Sequence, residues 1–202
     1  MKFLSGLILG VLLVLTAFVV LFATGSYNVS ALSSPSKFEQ KVANFTLNRS
    51  VVKRAPATRN AFGPRPENLR AGRAHYRENC VTCHGAPGVE ESEAGMGLNP
   101  PAPDLTLPAI QRMTDGELFW IISNGIRMTG MPAFSLTHKP DEIWKIVTFV
   151  RHLPELTADE QKELKAASEE GEGHHEEGGA GEKDKDTTQT PAASPSTTPG
   201  HK

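Results

Sequence analysis

Cys80-Val81-Thr82-Cys83-His84 holds the residues best equipped to do chemistry in this chain. Two thiols three positions apart, followed at once by an imidazole, read as a site for covalent attachment of a c-type haem. Each thiol adds across one haem vinyl group to form a thioether. The two-residue gap puts both sulfurs on one turn of backbone, and the adjacent histidine can then bind the iron axially. A structural zinc site needs four ligands, and Cys80 and Cys83 are the only cysteines in the chain. A thioredoxin-like thiol–disulfide module expects a βαβ setting, and no such pattern surrounds the motif.

An iron held by one histidine keeps an open axial position. Gly130-Met131-Pro132-Ala133-Phe134 lies between two helical patterns and offers a thioether on a loop, where a ligand can point inward without distorting a helix. Thioether sulfur suits haem iron and raises its potential relative to a second histidine. Met128 is the nearest rival. Met96 and Met113 lie in or near the long loop after the cysteines, and His138 and His152 have the look of surface or helix-end histidines. If no methionine binds, the site is that of a haem enzyme or gas sensor with an open sixth position.

The elements that must position these residues are helical. Pro66 to Cys80 reads as a helix, with proline suited to its first turn and Leu69, Gly72, Arg73 and Tyr76 on one face. A glycine four residues before an aromatic lets a second helix approach closely. That partner is Pro140 to Leu153, with Ile143, Trp144, Ile146, Val147, Phe149 and Val150 in an apolar helical period. A third helix opens on Thr114 with Glu117 completing a capping box. It buries Leu118 to Ile122 and stops at Asn124-Gly125.

The rest of the chain frames this small domain. Phe3 to Ala23 is almost wholly apolar, with no charge between Lys2 and Lys37. About 20 apolar residues suffice to span a bilayer, so the length favours an uncleaved anchor over a signal peptide cut near Ala23-Thr24-Gly25. Phe38, Val42 and Phe45 share a helical period with Lys37, Lys41 and Arg49 between them. This is either an amphipathic helix on the membrane surface or a helix packed against the domain. Arg54 to Pro66 reads as a linker. The net charge of -2 hides a segregation. Residues 37–77 carry ten Lys and Arg against Glu39 and Glu67, and residues 155–186 carry twelve acidic residues against four basic ones. The acidic segment is thus expected to fold back on the basic neck, or to compete there with lipid or a partner. The basic stretch lacks an aromatic-interleaved module, which argues against nucleic-acid binding. Leu156 to about Ser168 prolongs a helix on this reading. Beyond it the composition cannot bury enough surface to fold, and His174-His175 is a weak metal site at best. The domain organisation is therefore 1–25 anchor or export signal, 26–65 basic neck, 66–154 haem domain and 155–202 disordered tail.

The N-terminal helix, Cys80-x-x-Cys83-His84, the proline-rich loop, Gly130-Met131-Pro132 and the C-terminal helix together resemble the class I cytochrome c family, in its small bacterial membrane-anchored monohaem members. The resemblance covers roughly Pro66 to Pro154. It implies an all-α fold with one covalent haem c. Cys80 and Cys83 become the thioether positions, His84 the proximal ligand and Met131 the distal one. It also implies that the Pro103 carbonyl accepts the second ring N–H of His84, fixing its tautomer. Gly72 and Tyr76 match the family's N-terminal crossing residues, and Ile146 and Phe149 their partners. Trp120 and Arg127 are candidates to hold the propionates. The long loop from Gly85 to Pro108, with Glu90, Glu91 and Glu93, departs from the pattern. The implied role is a one-electron carrier between donor and acceptor redox proteins. It is tethered to the bacterial inner membrane by a single pass, with the haem domain in the periplasm. The same domain also suits a haem c subunit of a larger respiratory dehydrogenase or oxidase complex.

Overall fold

The computed structural model describes residues 2–172, with side chains for residues 3–166. The expectations for His174-His175, for the acidic run after residue 172 and for the Ser/Thr/Pro-rich end lie outside the described residues. Within them the chain is helical and forms no strand. Helix α1 spans Lys2–Ala23, about 33 Å at 1.5 Å per residue. Its segment Phe3–Ala23 is long and apolar enough to cross a membrane, and none of it is buried in the protein. A spacer leads to α2, Lys37–Arg54, which is capped by the Ser36 side chain accepting from the Glu39 N–H.

The domain is built on the crossing of α3, Pro66–Asn79, with α8, Pro140–His152. Gly72 sits where they meet. A Cβ built there would lie 2.2 Å from the Lys145 carbonyl oxygen and 2.8 Å from the Phe149 Cβ. The glycine is therefore required by backbone proximity and not by an unusual φ. One turn later the rings of Tyr76 and Phe149 lie 5.4 Å apart, both fully buried. On α8, Ile143, Ile146, Val147 and Val150 follow the i, i+3, i+4, i+7 spacing of one helix face and are all buried. Burying a side chain of this size stabilises by roughly 1.5–3 kcal/mol.

Between these helices lie three short ones and a longer one. They are α4 (Val81–His84), α5 (Glu93–Met96), α6 (Pro108–Gln111) and α7 (Asp115–Asn124). The expected capping box on α7 is present: Thr114 Oγ1 accepts from the Glu117 N–H at 3.2 Å, and the Thr114 N–H donates to Glu117 Oε2 at 2.6 Å. Leu118 and Ile122 enter the core, and Phe119 stacks on Trp144 of α8 with ring centroids 4.1 Å apart. Arg151, at the end of α8, ties down the start of α7. Its guanidinium donates to Asp115 Oδ1 at 2.9 Å, to the Gln111 carbonyl at 2.7 Å and to the Met113 carbonyl. Gln111 Nε2 in turn bridges the carbonyls of Leu105 and Val150.

Three further stretches are tied to the domain. The linker 54–66 is fastened to α8: Asn60 Nδ2 donates to the Trp144 carbonyl and to Thr148 Oγ1, both at 2.9 Å, and Thr148 donates to the Phe62 carbonyl. Of the two readings of the neck helix, packing on the domain holds for the C-terminal end of α2, with Val51 buried and the backbone of Pro56 pressed against Gly116 of α7. The chain also stays on the domain beyond Pro154. After a 3₁₀ turn at Leu153–Glu155, Thr157 and Glu160 form a second reciprocal cap and α9, Ala158–Glu172, folds back. Leu164 is fully buried in the core. Glu160 and Glu163 both pair with Arg73 of α3 at 3.1 Å. The acidic segment thus begins by pairing with Arg73 of α3, a member of the basic 37–77 stretch. One apolar residue and an ion-pair cluster dock this helix, which no apolar period announces.

Candidate functional site

Helix α3 delivers the two thiols. Cys80 closes α3 and opens α4, and its carbonyl accepts from the Cys83 and His84 N–H groups at 3.1 and 2.9 Å. Both cysteines and the histidine therefore share a single turn, as the spacing predicts. Neither cysteine is in a disulfide. Burial, with the neighbouring Cys83 adding to it, pushes the Cys80 thiol up to about 12.

The turn is held from three sides. Gly85 ends α4 at φ +56°, where a Cβ would also strike the Val89 carbonyl at 2.5 Å. The buried Tyr76 hydroxyl donates to the Gly85 carbonyl at 2.6 Å, so the residue at the helix crossing also anchors the end of the motif. Desolvation first, then the Cys80 and Asp104 charges, raise that phenol well above its usual range, so it stays a donor. The Ser92 N–H and Oγ both donate to the Thr82 carbonyl, at 2.9 and 3.0 Å. Gly95 packs so closely that its Cβ would lie 2.6 Å from the same oxygen. The glutamate-rich part of the long loop thus wraps the cysteine turn. Tyr76 and Ser92 were not singled out as site residues. A tyrosine on the crossing face and a serine before a small-residue turn are ordinary core and capping signals, so their second partner was not legible.

His84 Nδ1 lies 2.9 Å from the Pro103 carbonyl oxygen. That contact places the ring N–H on Nδ1 and leaves Nε2 with its lone pair. Burial lowers the imidazole's affinity for protons, opposed by the Pro103 carbonyl and Glu91, so the neutral ring is favoured. Asp104 fixes the bend after Pro103 by accepting from the Thr106 N–H and Oγ1, both at 2.7 Å.

Met131 is half-buried and packed against the core, whereas Met128 is 90% exposed and Met96 is 64% exposed. Met113 is also half-buried against the core. The Met131 loop is closed on itself. Thr129 Oγ1 donates to the Ile126 carbonyl at 2.7 Å and accepts from the Met131 N–H at 3.1 Å, while the Ile126 N–H returns to the Met131 carbonyl at 3.2 Å. Gly125, at φ +63°, lies too close to Met131 and Pro132 backbone atoms to admit a side chain. His138 is engaged with Thr137 and stands edge-on to Phe134, and His152 pairs with Glu160 at 3.1 Å. Trp120 is half-buried and Arg127 exposed. Leu105, Ile110, Met113 and Phe119 are likewise packed on the core yet incompletely covered.

Helix crossing, thiol turn, oriented imidazole and methionine loop together define a class I c-type cytochrome domain. Residues 67–150 match the family described as cytochrome c oxidase, cbb3-type, subunit III. Comparison with curated proteins gives no match. A domain of this class implies haem binding and electron transfer. The donor set fits that group: two unpaired thiols on one turn, a neutral imidazole with one free ring nitrogen, and a soft thioether on a braced loop. Among the described residues no three His, Cys, Asp or Glu side chains converge on a common point.

Proposed function

We propose that the protein is a membrane-tethered one-electron carrier with a single covalent haem c. Cys80 and Cys83 hold the group by thioethers, His84 Nε2 and the Met131 thioether bind its iron, and Pro103 orients His84. The contact between His84 Nδ1 and the Pro103 oxygen carries this reading, because it presents the opposite nitrogen as a ligand from a ring that cannot rotate freely. When bound, the haem iron supplies a ferrous/ferric couple. The chain's own part is to keep both ligands in place in either oxidation state. The Tyr76, Ser92 and Thr129 hydrogen bonds do this by holding backbone and not side chains. Buried surroundings also keep water from the ligands, which helps set the potential. A Cys80 thiol that is buried and neutral is a poor nucleophile, which weighs against a thiol–disulfide module.

In this reading α1 is the single-pass anchor in the bacterial inner membrane, with Lys2 on the inner side and the haem domain in the periplasm. The family description favours a second form of the same role: a haem c subunit of a larger membrane oxidase, exchanging electrons within that assembly. Optical spectra of the oxidised and reduced protein test the core claim. Sulfur–iron ligation gives a weak band near the red end of the visible in the oxidised form, and the haem stays with the polypeptide through acid–acetone extraction. Loss of haem on extraction refutes covalent attachment. Co-purification of other subunits in mild detergent decides between the free carrier and the complex.

A further inference from the structure

The neck helix α2 has two apolar faces, and only one has a partner among the described residues. On the inner face Val51 is 1% exposed and Leu47 is half-buried, where the helix rests on α7. On the outer face Phe38, Val42, Phe45, Arg49 and Val52 recur at spacings of four and three, which is one stripe of an α-helix. Phe38 is 78%, Val42 47%, Phe45 65% and Val52 64% exposed. The stripe runs about 21 Å along the helix. Lys41 and Lys53 flank it on opposite sides by helical phase, and the Arg49 guanidinium lies 5.7 Å over the Phe45 ring. Glu39 is the one acidic residue of this helix, and it is engaged by the Tyr27 hydroxyl at 2.8 Å.

The position of α2 is what selects its occupant. Phe22, in the last turn of α1, lies against Tyr27 with ring centroids 5.5 Å apart, and Tyr27 reaches Glu39 in the first turn of α2. Two side-chain contacts thus join the end of the apolar span to the start of α2. A tyrosine at that junction suits the membrane–water boundary. Farther on, Asn99 Nδ2 donates to the Ala31 and Ser33 carbonyls at 2.7 and 3.0 Å, holding the spacer against the domain's long loop. An aromatic stripe flanked by cations, beginning where a membrane span ends, has the chemistry of an interfacial helix.

We propose that the outer face of α2 seats in the headgroup region of an anionic phospholipid surface while its inner face holds α7. The domain is thereby kept against the bilayer in one orientation, not swinging on a free tether. This rests on the reading that α1 crosses the membrane. The test uses the full haem-loaded chain carrying p-benzoylphenylalanine at position 45, and separately at position 18 within α1. It is irradiated in native membranes and in vesicles of phosphatidylcholine with or without phosphatidylglycerol. The expected result is a phospholipid adduct at position 45, with several-fold higher yield when phosphatidylglycerol is present. Combining Lys41→Glu, Arg49→Glu and Lys53→Glu lowers that yield by at least roughly fivefold, since each cation near an anionic surface contributes about that factor. An unchanged visible spectrum shows that the charge variant is folded. Lipid adducts at position 18 but none at position 45 overturn the proposal and leave the anchor intact. No lipid adduct at position 18 removes the anchor reading and the proposal with it. A protein adduct at position 45 in native membranes replaces the lipid by a protein partner, and equal yields on the two lipids overturn the anionic surface.

Discussion

Gly72→Ala is the sharpest test of how the domain is held together. The new methyl carbon would lie 2.2 Å from the Lys145 carbonyl oxygen, 2.9 Å from the carbon of that carbonyl and 2.8 Å from the Phe149 Cβ. None of these is the free end of a flexible side chain, so relief requires α3 and α8 to separate by roughly 1 Å. A gap of that size forfeits about a quarter to a half of the dispersion energy of the contacts it opens. Against this, alanine is a better helix former than glycine by about 1 kcal/mol. Overpacking of a fitted interior costs about 1–3 kcal/mol. Here the obstructing atoms are backbone, so the net loss is expected in the upper half of that range even after the helix gain. For a domain of this size each kcal/mol lowers the melting midpoint by about 4–8 °C. Thermal unfolding of the haem-loaded protein, followed by circular dichroism, measures it, with Gly63→Ala as the control because a Cβ there meets nothing within 4 Å. A Gly72→Ala protein as stable as its parent, or more so, refutes the close crossing and with it the packing account of the core.

The other predictions probe the site and the added helix. With Met131 as the proposed distal ligand, Met131→Ala opens the sixth position, so the reduced protein binds carbon monoxide readily at neutral pH and the weak red-end band disappears. Met128→Ala, by contrast, leaves both unchanged because that side chain is exposed. Leu164→Ala empties a fully buried position and costs about 2–5 kcal/mol in a urea titration; no loss would return α9 to the status of a tail. Glu160 is desolvated, which alone would raise its proton affinity. Its bonds from Thr157 and His152 outweigh that and hold it below the ordinary carboxylate range. A lowered carboxylate contributes stability that is present above the unfolded-state value and lost as pH falls through the folded one. Acid titration therefore weakens α9 docking below about pH 4.5, and Glu160→Gln flattens that part of the stability profile.

What was legible in the sequence follows physical range. Cys80, Cys83 and His84 are neighbours in the chain, so their shared turn could be read from spacing alone. The Thr114–Glu117 cap is local in the same way. The α3–α8 crossing was legible because Gly72 and Tyr76 face a strong apolar period on α8. The fastening of 54–66 was hidden, because it rests on Asn60, a polar residue whose partners lie 84 and 88 positions away. Helix α9 was legible as a helix from Leu156 to about Ser168, but its docking was hidden for a related reason: an acidic surface with one buried leucine has the composition of a tail. The contact of Pro103 with His84 came from family resemblance, since no local rule joins residues 19 positions apart across a loop.

The Arg151 clamp has a consequence for experiments that follow colour. From the end of α8 it grips the carbonyls of Gln111 and Met113, and Gln111 grips Leu105, two residues beyond the proline that steadies the imidazole. Fraying at that terminus would loosen main-chain oxygens next to the Pro103–His84 contact, where the proposed haem would sit. Absorbance would thus report on proteolysis or strain at a point remote from the chromophore, giving the protein a built-in gauge of its own integrity.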